Sequence, residues 1–175
     1  MKYTVSLWAA ALLLTAIPAQ ALEMLPGLWE FSSDNIEVDG MQMPGMAEMV
    51  EQMKGLPAEQ RRMVEQTLAS QGVELGAGGV RMCLSEAQVK SRQLPFQDEP
   101  GCSQTLDQQT ETHWSFSFQC PDAKGQGETR LISEREVTSV IESDYRVGNQ
   151  QGSSRMQSRG KWLGEDCGAL KPRQP

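Results

Sequence analysis

Glu111-Thr112-His113-Trp114-Ser115-Phe116-Ser117-Phe118-Gln119-Cys120 decides the fold. Trp114, Phe116, Phe118 and Cys120 share one parity, and His113, Ser115, Ser117 and Gln119 share the other. Side chains of an extended chain alternate between two faces, so this segment is a strand with an apolar face in a core and a polar face in water. The signature repeats downstream. Gly125-Gln126-Gly127 is expected to turn the chain into a strand near 128–133, and residues 136–147 set Val137, Ile141, Tyr145 and Val147 on one side. Gly148 to Gly152 is the next expected turn. A last strand at 153–163 then places Met156 and Trp162 inward and Arg155, Arg159 and Lys161 outward.

Upstream, Leu28-Trp29-Glu30-Phe31 alternates and runs on to Val38, with Pro26-Gly27 before it and Asp39-Gly40 as a turn after it. There the period changes. Met46, Met49, Val50 and Met53 recur at i, i+3, i+4 and i+7, the stripe of a short amphipathic helix that Gly55 ends. Pro57 opens a second helix whose stripe is Met63, Val64, Thr67 and Leu68, stopped by Gly72. Residues 45–71 therefore read as a helical hairpin inserted after the first strand. A glycine-rich linker at 72–79 leads to a short strand at 80–84, Ser85-Glu86-Ala87-Gln88 has the spacing of a capping box, and 94–101 reads as a loop. The expected fold class is mainly β: a curled antiparallel sheet or partly open barrel with a Met-rich helical hairpin. A two-sheet sandwich is the rival.

The first residues belong to a different logic. Lys2 precedes an uncharged run from Val5 to Ile17, then Pro18 and the small-residue pattern Ala19-Gln20-Ala21, which is a secretory signal cleaved after Ala21. A membrane span needs about twenty apolar residues, and this run is shorter. No later stretch is apolar enough to cross. The expectation is that residues 1–21 are removed and that 22–175 form one periplasmic domain. A net charge of −7, with acidic and basic residues intermixed, argues against nucleic acid and anionic membrane surfaces as partners.

An even number of cysteines in an exported chain points to disulfides. Structural zinc sites bring cysteines in close pairs, whereas even the nearest two here, Cys102 and Cys120, stand far apart. Of the three possible pairings, Cys102–Cys120 would staple two neighbouring strands, and Cys83–Cys167 would then tie the middle of the chain to its end. Free thiols would restore the metal reading.

No catalytic residues emerge. His113 is the only histidine, and its parity sets it opposite the aromatic face among serines, as a solvent-facing strand histidine. Gly76-Ala77-Gly78-Gly79 lacks the lysine and helix of a phosphate-binding loop, and the acidic pairs Asp98-Glu99 and Glu165-Asp166 sit in solvated loops. Arg155, Arg159 and Lys161 read as a solvated sheet face rather than an anion site. The methionines are the unusual feature: Met41, Met43, Met46, Met49 and Met53 crowd one segment. Three of them coincide with a helix stripe, where methionine is an adaptable filler. The alternative is Cu(I), a soft ion suited to thioether ligands, at Met41, Met43 and Met46.

Several short motifs in a fixed order resemble the DUF3617 family of exported bacterial proteins, whose function is uncharacterised. They are Pro26-Gly27-Leu28-Trp29-Glu30, Met43-Pro44-Gly45, Leu56-Pro57-Ala58-Glu59-Gln60-Arg61, Met82-Cys83-Leu84-Ser85-Glu86, Cys102, Cys120, and Gly160-Lys161-Trp162-Leu163-Gly164 with Cys167. The resemblance implies no activity. It implies that the four cysteines and the Pro-Gly-x-Trp opening belong to one framework. The functional expectation is a non-enzymatic periplasmic protein that binds a protein partner or a small apolar ligand in a groove between sheet and hairpin, lined by Met46, Met49, Met53 and Met63. The alternative is a Met-based Cu(I) carrier, with a hydrolase in third place.

Overall fold

The computed structural model describes residues 22–91 and 101–172. The expected leader at 1–21, and all but the last residue of the expected loop at 94–101, lie outside the described residues. A long strand opens the sheet: β1 (Gly27–Val38) pairs with the short β2 (Met41–Met43) across the Asp39-Gly40 turn. Asp39 and Gly40 both take positive φ, 51° and 76°, the geometry that matches a tight hairpin to the twist of its strands. The helices α1 (Met46–Lys54) and α2 (Ala58–Ser70) follow, then β3 (Val73–Leu75), β4 (Val80–Leu84) and α3 (Glu86–Ser91). The capping box forms at α3: Gln88 N donates to Ser85 Oγ, and Ser85 N donates to the Gln88 side chain. The rest is meander: β5 (Ser103–Gln109), β6 (His113–Gln119), β7 (Ala123–Ser133), β8 (Glu136–Val147) and β9 (Gln150–Gly164).

These strands make one nine-stranded antiparallel sheet in the order β3-β4-β1-β9-β8-β7-β6-β5, with β2 beside β1. It is a curled sheet whose ends do not meet. The sandwich alternative is thereby corrected, since all the strands belong to a single sheet. The linker reading of 72–79 is also corrected, because Val73–Leu75 pairs with β4.

Aromatic–glycine pairs shape this sheet. Gly125 and Gly127, expected to form a turn, lie inside β7 directly opposite Phe118 and Phe116. A Cβ on Gly127 would meet the Phe116 ring at 2.4 Å, so the ring lies over the glycine. The turn falls instead before Ala123. Gly152, also assigned to a turn, is in β9 opposite Tyr145, and Gly160 lies opposite Val137 and Phe31. Glycines within strands let a sheet bend tightly while facing aromatics cover the exposed backbone.

A β-bulge solves a second problem. Trp29, Phe31 and Ser33 face the core, so strict alternation would turn Ile36 and Val38 outward. The register shifts between Ser33 and Asn35, leaving Asp34 as the extra residue and bringing Ile36 opposite Met156. The core then comprises Trp29, Trp114, Phe116, Leu131 and Val137, with Phe31, Phe118, Ile141 and Trp162 packed around it.

The opposite face is charged in alternation. Glu74, Arg81, Glu30, Lys161 and Glu136 stand in register across β3, β4, β1, β9 and β8. Arg81 Nε reaches Glu30 Oε2 at 2.9 Å, and Arg159 Nε reaches Glu136 Oε1 at 3.3 Å. Opposite charges on neighbouring strands favour this register, and like charges would oppose it.

Candidate functional site

The family-like motifs meet at one end of the sheet. β1 pairs Leu28 with Cys83 and Gly27 with Leu84, while its other edge pairs Trp29 with Trp162. Trp29 Nε1 donates to Leu25 O at 2.8 Å, and Trp162 Nε1 donates to Pro26 O at 3.0 Å. Gly27 has φ +127°, and a Cβ there would lie 2.3 Å from Gly164 O. Only glycine fits this crossing. Cys83 is bonded to Cys167 beside it, and Cys102 to Cys120 at the far edge. Both bridges fit an oxidising compartment. At this end both indole N–H groups are taken up by backbone carbonyls just before β1.

The polar face of β5–β9 carries open clefts, one of about 580 Å³ containing Glu37, Lys124, Glu142 and Arg155, and one of about 440 Å³ containing His113, Ser115 and Glu128. His113 is less open than its parity suggested, with 29% of its side chain exposed. Its Nε2 is covered, carries no hydrogen bond and stands 3.5 Å from Glu128 Oε2. Among the described residues no serine hydroxyl bonds to Nε2, and the Ser117 hydroxyl donates to Asp107. Arg155 pairs with Glu142 and Arg159 with Glu136, so two of the three outward basic residues are partners of acids.

The apolar face ends differently. Strand registers place Met43, Ile36, Met156, Ile141, Gly127, Phe116 and Leu106 in one row across β2, β1, β9, β8, β7, β6 and β5. The adjacent row is Met41, Val38, Ser154, Ser143, Gly125, Phe118 and Gln104. Neither contains a charged side chain. Phe116 is fully buried, but Met43 at 44% and Leu106 at 40% leave the two ends of the first row open to solvent. Parity alone could not find these rows, because the bulge at Asp34 resets the face of Ile36 and Val38.

The hairpin methionines separate into two groups. Met46 and Met53 are half-buried on α1, which packs beside β1 and buries Val50. Met49 is exposed on the same helix, and Met63 stands 58% exposed on α2, which packs beside β3 and buries none of its residues. Met41 and Met43 project from one face of β2. Among the described residues no three His, Cys, Asp or Glu side chains are grouped to hold a metal ion. No described helix is long and apolar enough to cross a membrane.

Comparison with known proteins gives two matches. A family model described as a protein of unknown function, DUF3617, matches residues 24–167. An uncharacterised protein from the lpd-3 5' region of Pseudomonas putida is 44% identical over 139 residues, covering 79% of this chain and 98% of that protein. No solved structure matches.

Proposed function

We propose, for a chain that belongs to the DUF3617 family, a non-enzymatic role in the periplasm: it binds a small apolar ligand on the open part of the sheet's apolar face, beside the methionine-bearing edge. One observation carries this reading. The two uncharged rows cross the sheet in register, and the first buries Phe116 beside its β5 end but is open at Met43 and Leu106. A closed core would bury those ends. Ser143 and Ser154 bond to each other in the second row, so these two hydroxyls partly answer one another's hydrogen-bonding demand. Methionine at the edge supplies a surface that re-packs around different shapes, with Met46 and Met53 behind it on α1.

The neutral dye N-phenylnaphthylamine tests the reading, because its fluorescence rises when it leaves water. The wild type should bind it, and Met43→Glu or Leu106→Glu should weaken binding about ten-fold or more, since each sets a charge at an apolar entrance. Both positions are exposed, so circular dichroism should stay unchanged. A wild type that ignores the dye, or variants that bind it equally well, would refute ligand binding and leave a protein partner as the occupant.

A second reading has its own observation. Met41 and Met43 present two thioethers from one face of β2, at 63% and 44% exposure, and Met46 opens α1 three positions on. That set suits Cu(I). Replacing Met41, Met43 and Met46 together by leucine should abolish any tight Cu(I) uptake, and uptake that survives would place the ion elsewhere.

A further inference from the structure

The exposed methionines are segregated. Met41, Met43, Met49 and Met63 are exposed at 63%, 44%, 37% and 58%, and all belong to the short stretch from β2 to α2. Met82 and Met156 in the sheet, Met24 just before β1, and Met46 and Met53 on α1 are only partly exposed, and no described methionine joins the fully buried core. The cysteines are already in disulfides. Among the described residues, an oxidant arriving from solvent therefore meets these four most exposed methionine sulfurs first. The fold has little to lose there, because none of the four is buried.

We propose that Met41, Met43, Met49 and Met63 are a modification site for peroxide-class oxidants, and that their conversion to sulfoxide switches off apolar binding. The inference rests on the binding role proposed above. In the reaction the thioether sulfur attacks one oxygen of the peroxide, the O–O bond breaks, and water leaves with the second oxygen. The sulfur gains an S=O group and loses two electrons to the peroxide. Reduction by a dithiol returns the thioether, with a disulfide and water as products. The product side chain is polar and chiral where the reactant was apolar and flexible. Met41 and Met43 matter most, because they stand opposite Val38 and Ile36 and extend both rows to their edge. A sulfoxide oxygen at that edge must give up hydration when an apolar ligand seats against it.

Brief treatment of the full-length exported protein with hydrogen peroxide tests both parts. Peptide mass mapping should show sulfoxide at Met41, Met43, Met49 and Met63 before Met24, Met82 and Met156. N-phenylnaphthylamine affinity should fall about ten-fold, while circular dichroism stays unchanged. A methionine sulfoxide reductase with dithiothreitol, used at a level that leaves the disulfides intact by mass, should restore binding. Measured before and after peroxide, the dye affinity of the Met41→Leu/Met43→Leu double variant should not fall, whatever its starting value, and a fall equal to the wild type's would overturn the assignment of the switch to these two residues. Oxidation that begins at Met82 or Met156 would overturn the modification site. Correctly ordered oxidation with unchanged affinity would overturn the switch. A dye that never bound the unoxidised protein would sink the binding role and the switch together, and the mapping would then judge the modification site separately.

Discussion

Adding one methyl group at Gly127 tests the aromatic–glycine account of the sheet. In Gly127→Ala the new Cβ would sit 2.4, 2.8 and 3.0 Å from three atoms of the Phe116 ring. That ring is 0% exposed. Overpacking of this kind costs about 1–3 kcal/mol. For a domain of this size that corresponds to a fall of roughly 3–10 °C in Tm. Phe116→Ala alone should cost about 3–5 kcal/mol through lost burial and the cavity it leaves. The decisive quantity is the coupling. Once the ring is gone the alanine at 127 has nothing to strike, so the double variant should be more stable than the two single effects predict by about 1–3 kcal/mol. Urea unfolding followed by tryptophan fluorescence, with both disulfides intact, measures all four corners of the cycle. Additive effects, or a neutral Gly127→Ala, would refute the reasoning and return Gly125-Gln126-Gly127 to a turn.

The two disulfides should differ in weight. In the chain-entropy description the Cys102–Cys120 loop, 18 residues apart, contributes about 3 kcal/mol, and Cys83–Cys167, 84 apart, contributes about 4.5 kcal/mol. Denaturation of the two Cys→Ser pair variants checks the order, and non-reducing peptide mapping that joined Cys83 to Cys102 would contradict the structure outright. Tyr145 supplies a pH dependence. Its hydroxyl donates to Asp39 at 3.0 Å, and that hydrogen bond, with a smaller contribution from burial and the neighbouring charge, raises its pKa above the ordinary 10.0. The folded state therefore holds the phenolic proton more tightly than the unfolded chain, so the contribution is complete below pH 10 and is lost as the pH climbs through the raised value. Tyr145→Phe should flatten that alkaline slope, and an unchanged slope would show that the Asp39 bond is absent in solution.

Much of the architecture is written in local patterns. The alternation in residues 113–119 marks β6, and its apolar parity delivers Trp114 and Phe116 to the core. Ser85 and Gln88 announce the start of α3, Asp39-Gly40 announces the first hairpin, and the methionine stripe announces α1. Each of these signals needs only residues within a turn or two of one another, so the chain carries them before it folds. The mainly β class with a helical insertion follows from the same information.

Cross-strand facts are of another kind. Gly127 looks like a turn residue until Phe116 is seen opposite it, and that neighbour is fixed by the register of β6 on β7 rather than by Gly127's own flanks. The face of Ile36 depends on the bulge at Asp34, which exists because β1 must stay in register with β9, more than a hundred residues away in sequence. The apolar rows ending at Met43 and Leu106 draw one residue from each of seven strands, so no window of sequence contains them. Helix periodicity likewise marked the stripes of α1 and α2 but not the strands they lie beside, since a stripe specifies a face and not its partner. The sequence by itself determined which residues avoid water and with what period. Only the tertiary structure decided which of those residues meet, because pairing distant strands is a long-range choice set by the fit of whole faces.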